Sequence, residues 1–140
     1  MAIAQMNWGR LQFPLTDSRM AEFDASLEDL YLLAEAHPGF IWRIPDGIAA
    51  DQLQVLNFDE RISATVSVWD TVEALKDYTF ESLHGDYLKR AGEWFEAVDG
   101  PQLVIWNVDQ TNRPSFREAF NRLEILKRDG PTDDIYGWPS

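Results

Sequence analysis

The chain has 140 residues, of which 45% are apolar and 26% charged, and 24 acidic against 12 basic side chains give a formal charge of −12. That balance fits one soluble globular domain, residues 1–140, and offers no basic footprint for nucleic acid or an anionic membrane. There is no cysteine, which excludes disulfides, thiolate nucleophiles, iron–sulfur clusters and thiolate zinc sites together and suits a reducing compartment.

The first residues, Met1 to Trp8, lack the basic start and apolar run of a secretory signal. No apolar run approaches the roughly eighteen residues that a membrane helix needs, so a cytoplasmic protein is expected. Residues 2–8 read as a strand. Residues 17–36 read as a helix, with Met20, Phe23, Leu27, Leu30, Tyr31 and Ala34 at helical spacing and Asp17 or Ser18 as its cap. His37-Pro38-Gly39 stops it, and Phe40 to Ile44 form an aromatic and β-branched strand. Pro45 to Leu53 read as a loop, and residues 54–58 as a short strand or an irregular lead-in.

Residues 62–69 alternate most clearly. Ile62, Ala64, Val66 and Val68 make an apolar set that should face helices. Ser63, Thr65, Ser67 and Trp69 make a small, polar set ending in an indole. Asp70 and Glu73 have capping-box spacing before a helix with Val72, Leu75 and Tyr78 inward. Ser82 is the expected cap of a second helix over 83–98, which Asp99-Gly100-Pro101 ends. Residues 102–108 read as a strand and Asp109 to Pro114 as a loop. A capping box at Ser115 opens a helix with Phe116, Ala119, Leu123 and Leu126 on one face, closed by Gly130-Pro131. The tail to Ser140 is turn-rich and aromatic.

The order β-α-β-β-α-α-β-α predicts an α+β fold: a ferredoxin-like antiparallel sheet with helices on one face. The polar and aromatic set of 62–69 then lies on the uncovered face. An indole there calls for a second copy of the sheet, hence a homodimer.

His84 is the candidate general base, because an unperturbed imidazole titrates near neutrality. His37, at a helix C-terminus, has a structural place. Arg43, in an apolar strand, is the candidate clamp for a carboxylate, phenolate or enolate; its plain alternative is a strand-end ion pair. Asn7 and Asn107, at strand ends, are candidates for orienting a ligand. Trp42, Trp69, Trp94 and Trp106 either line a pocket for a planar aromatic ligand or fill the core. No histidine cluster has metal-site spacing, and no phosphate loop, dinucleotide fingerprint or serine elbow occurs.

Several segments carry a family resemblance: Pro38 to Arg43, Ser67 to Leu75, Ser82-Leu83-His84, Lys89 to Glu96, Asn112-Arg113-Pro114-Ser115 and Gly130-Pro131-Thr132. Together they resemble the domain-of-unknown-function 3291 family over nearly the whole chain. Gly85 and Gly92 depart from it, where helix formers are usual. The resemblance implies the dimeric α+β barrel superfamily, which includes antibiotic-biosynthesis monooxygenases, haem-degrading oxygenases and stress-response proteins. The implied protein is a homodimer binding a small aromatic ligand, with no cofactor. It implies a cofactor-independent monooxygenase-like enzyme acting on an aromatic or polyketide-like substrate. The alternatives are a non-catalytic ligand-binding or stress-response dimer, or a haem-binding oxygenase with His84 as axial ligand.

Overall fold

A computed structural model describes residues 1–81 and 83–138. One antiparallel sheet has the order β2-β3-β1-β4-β5, with β1 Ala2–Arg10, β2 Phe40–Arg43, β3 Ile62–Trp69, β4 Leu103–Val108 and β5 Ile135–Tyr136. Its helices are α1 Ala21–Ala36, α2 Asp46–Val55, α3 Val72–Glu81, α4 Leu83–Lys89 and α5 Phe116–Asp129. β1 is central, pairing with β3 from Ile3↔Trp69 to Arg10↔Ile62 and with β4 from Ala2↔Val108 to Asn7↔Leu103. The ferredoxin-like antiparallel sheet is as the sequence predicts.

Strand alternation divides the core in two. Ile3 and Ile105 share a face with Trp69, closed by Ala34 of α1 and by Leu75 and Tyr78 of α3. Ala2, Ala4 and Met6 share the other face with Val66, Val68, Val104 and Trp106, closed by α5 and, at the margin, by Ala49 and Leu53 of α2. A smaller cluster of Leu11, Met20, Phe23 and Trp94 packs where the chain leaves β1.

Helices on one face alone describe only α1, α3 and α4; α2 and α5 cover the second face. The uncovered face expected around Trp69 is therefore absent, and Trp69 is 1% exposed. Ala34 of α1 and Leu75 and Tyr78 of α3 close the Trp69 face, and α5 closes the opposite one. Phe116, Ala119, Leu123 and Leu126 form a continuous apolar stripe that needs an apolar surface, and the Val66–Val68 face supplies it.

The helix ends follow local chemistry. Asp17 accepts the Arg19 N–H and caps a 3-10 turn, Ser18–Met20, that leads into α1. Thr71, one residue after the expected Asp70, caps α3 by accepting the Ala74 N–H at 3.0 Å. Ser115 accepts the Glu118 N–H at 3.1 Å, as its capping box predicts. The expected cap at Ser82 and the tail residues Pro139 and Ser140 lie outside the described residues.

Two expectations need correction. The Pro45–Leu53 loop is instead the start of α2, with Pro45 at its N-cap; residues 54–58 end that helix and turn at Asn57, whose φ is 67°. The expected helix over 83–98 stops at Lys89, and a 3-10 turn spans Ala91–Glu93. The following residues then join the end of β1: the Gln12 N–H donates to the Trp94 carbonyl and the Glu96 N–H to the Arg10 carbonyl, both at 2.8 Å. Gly85 is buried, and a Cβ there would collide with the Phe80 carbonyl. Glycine thus permits the tight approach of α4 to the end of α3.

Leu123 is 1% exposed beneath the sheet, whereas Leu32 on α1 is 57% exposed. Leu123→Ala should cost about 2–5 kcal/mol and lower the urea midpoint clearly, while Leu32→Ala should move it little. Equal midpoints for the two variants would show that α5 is not seated as described.

Candidate functional site

β2 has four residues and β3 eight, so the two strands cannot match. β2 pairs with Ser67 to Trp69, and the Ile44 N–H extends the pairing to the Val66 carbonyl. Residues 62–65 have β1 on one side and, among the described residues, no strand on the other. Pro45 turns the chain away into α2 instead. An open groove of about 880 Å³ results, with Ile62, Ser63 and Ala64 lining it together with parts of α1 and α2. Leu27, Tyr31, Ala49, Ala50, Leu53 and Phe58 make its lining largely apolar. A narrow pocket of about 20 Å³, room for about one water, shares Tyr31, Arg43 and Ala64 with the groove and reaches Thr65.

Arg43 joins the two helical walls. Its guanidinium carbon lies 4.2 Å from the ring centre of Tyr31 on α1, and its Nη1 lies 3.0 Å from Asp46 on α2. Its Nε lies 3.9 Å from Glu35, beyond hydrogen-bond length, and is buried with no acceptor among the described residues. The charge offered by the sequence as an anion clamp is thus already opposed by two carboxylates. Burial pushes the Tyr31 phenol up, and the Asp46 charge adds to this against the opposing effect of Arg43.

Behind Thr65 lies a polar network on the α1-covered face of the sheet. Ser67 Oγ accepts two donors, Gln5 Nε2 at 2.7 Å and Trp69 Nε1 at 2.8 Å. Gln5 Nε2 also reaches Thr65 Oγ1 at 3.4 Å, and the Asn7 amide donates to Gln5 Oε1 at 3.0 Å. The Trp69 ring stacks on Tyr78 at 5.3 Å, and Tyr78 lies 5.0 Å from His84. The Tyr78 hydroxyl donates to the Leu30 carbonyl, and burial raises its pKa.

His84 Nδ1 lies 3.0 Å from the Thr79 carbonyl. A carbonyl only accepts, so the proton sits on Nδ1 and the neutral ring carries its lone pair on Nε2. Burial lowers the His84 pKa, more than that hydrogen bond raises it. His84 does not line the groove, so a haem placed there would receive no axial ligand from it. Among the described residues, no three His, Cys, Asp or Glu side chains form a metal-ligand set.

The sequence candidates therefore part company. Asn7, Trp69 and His84 share the α1- and α3-covered side of the sheet, and Arg43 stands in the groove. Trp42 packs against the opposite core, with Arg113 over its ring at 5.5 Å. Trp106 is buried in that core with its Nε1 unpartnered among the described residues. Trp94 sits in the third cluster, 5.4 Å from Phe23. The exposed Asn107 amide donates to the Asp133 carbonyl and fastens the C-terminal segment. Tyr31, Gln5, Thr65 and Ser67 escape the sequence reading as site residues. The small polar side chains of β3 were their one visible signal, and Tyr31 reads there simply as part of a helix stripe.

Residues 2–140 match the family model described as a domain of unknown function, DUF3291. The chain belongs to the DUF3291 family. No curated protein matches this DUF3291 chain. Among solved structures it is similar to Rv0793 from Mycobacterium tuberculosis, with TM-score 0.54 and 12% identity over 80% of this chain and 100% of that one. It is also similar to SnoaB, a cofactor-independent oxygenase from Streptomyces nogalater, with TM-score 0.51 and 11% identity over 79% and 95% of the two chains. A third is protein YJCS, with TM-score 0.50 and 19% identity over 78% and 100%. At these identities the likeness is one of fold.

The lowered pKa of His84 has a thermodynamic consequence. The unfolded chain, with an ordinary histidine pKa of about 6.5, binds the proton more readily than the folded one. The stability from this group is present above that value and is lost as pH falls from about 6.5 through the folded pKa. Urea midpoints between neutral and mildly acidic pH should therefore fall more steeply for the wild type than for His84→Gln. Parallel profiles would contradict the burial of the neutral ring.

Proposed function

We propose that this DUF3291 chain binds a small organic molecule with an apolar, ring-containing body in the groove between α1 and α2. The observation that carries this reading is the groove itself. Its volume of about 880 Å³ lies within the usual range of ligand pockets, and apolar side chains surround a few polar groups at its inner end. Tyr31 offers an aromatic face, and Thr65, backed by Gln5 and Ser67, offers a positioned hydroxyl. Titration of a panel of aromatic and polycyclic compounds, followed by protein NMR, tests this. Shifts should cluster at Tyr31, Ala49, Ala50 and Ala64. Ala50→Trp, which fills the groove from an exposed position, should weaken binding at least about tenfold by loss of buried contact area. Unchanged affinity in that variant would remove the ligand from the groove.

A second reading adds oxygenation of the bound molecule by dioxygen without a cofactor. It is supported by the fold shared with SnoaB and by the Thr65–Gln5–Ser67–Trp69 network behind the inner pocket. Oxygen uptake with each compound that binds tests it, and uptake by none of them would leave binding alone. Turnover reduced about a hundredfold in His84→Ala, with affinity kept, would give His84 the role of base despite its place outside the groove.

A homodimer belongs to the same reading through the family resemblance. Within the chain, α1 and α3 lie over one sheet face and α5 over the other, which supports a contact that also uses surfaces beyond the sheet. Light scattering should give about twice the 16.1 kDa chain mass, and a species at the chain mass alone would exclude the dimer.

A further inference from the structure

Resting on the groove reading above, we propose that the molecule bound there is a cationic amphiphile: an apolar or aromatic body carrying a protonated amine. The residues lining the groove include six carboxylates and a single basic side chain, Arg43. The Arg43 charge is already opposed by Asp46 at 3.0 Å and, more distantly, by Glu35 at 3.9 Å. Asp59 is held by Arg10. Three groove carboxylates, Asp24, Glu28 and Glu60, make no ion pair among the described residues.

The arrangement on α1 strengthens the case. That helix carries five acidic residues and no lysine, arginine or histidine. Asp24 and Glu28 stand four residues apart and both line the groove, a spacing at which like charges destabilise a helix. A cation seated between the rim and the apolar lining relieves that repulsion. A carboxylate or phenolate would add to it. The surrounding charge of −12 acts in the same direction over longer range and draws cations toward the cleft. Apolar lining selects the body of the ligand and the carboxylates select its charge, so the groove discriminates between molecules of one shape by their ionisation.

Three probes of one skeleton test this by calorimetry at neutral pH: phenylbutylamine, phenylbutanol and phenylbutyrate. The amine should bind at least about tenfold more tightly than the carboxylate, with the alcohol between them, and added salt should narrow the gap. The double variant Asp24→Asn with Glu28→Gln should weaken the amine about threefold to tenfold and leave the alcohol unchanged. Both residues are exposed, so the variant should keep the wild-type urea midpoint or exceed it. Equal affinities for amine and carboxylate, both lost in Ala50→Trp, would overturn the proposed charge preference while leaving a ligand in the groove. Failure of all three probes to bind would overturn the groove reading and this proposal together.

Discussion

β2 stops where β3 still has half its length to run, and the site described above depends on that mismatch. Proline at position 45 fixes an extended backbone, with φ −61° and ψ 150°, and delivers the chain into α2 rather than along the sheet. α2 then packs Ala49 and Leu53 against the α5-covered core, while α1 stands on the opposite face. The space between them is the place an extended β2 would have filled. Arg43, the last residue of β2, keeps the walls in register by stacking on one and bonding to the other. The groove is thus a product of strand length and one ion pair.

The polar network behind it shows how a buried hydrophilic patch is tolerated within an otherwise apolar sheet. Gln5 is 3% and Ser67 7% exposed, values that would be costly for unpaired groups. Ser67 meets both neighbouring N–H donors with one oxygen, and the Gln5 carbonyl takes the Asn7 amide. Satisfied in this way, the cluster fixes the orientation of Thr65 and Trp69 without a charged group. Arg43 Nε and Trp106 Nε1 are the exceptions among the described residues, and they lie on opposite sides of β3.

The sheet was legible in the sequence because its strands alternate or run apolar within clear stops. The start and end of α5 were equally legible, since Ser115 and Gly130 act through local geometry. The covering of the second face was not. The apolar stripe of α5 shows that the helix must bury something, but nothing local says which side of the sheet it will choose. α2 was hidden because Asp46-Gly47 imitates a turn and because none of its residues is fully buried. Of the candidate site, Arg43 was visible as a charge in an apolar strand. Its neutralisation by Asp46 and Glu35 depends on tertiary placement, and so does the gathering of carboxylates around a groove that the sequence does not reveal.

An unpartnered half-strand is also a template on which other chains can polymerise. Residues 62–65 present such an edge, yet acidic side chains on Asp59, Glu60 and α1 border it. At neutral pH a second copy approaching edge to edge brings the same carboxylates with it, and the repulsion works as a guard against fibre-like association. The guard is electrostatic and belongs to a chain whose formal net charge is −12 at neutral pH. The acidic side chains that line the groove thus stand at the very edge where the sheet is incomplete, so one set of charges borders both the cavity and the open strand.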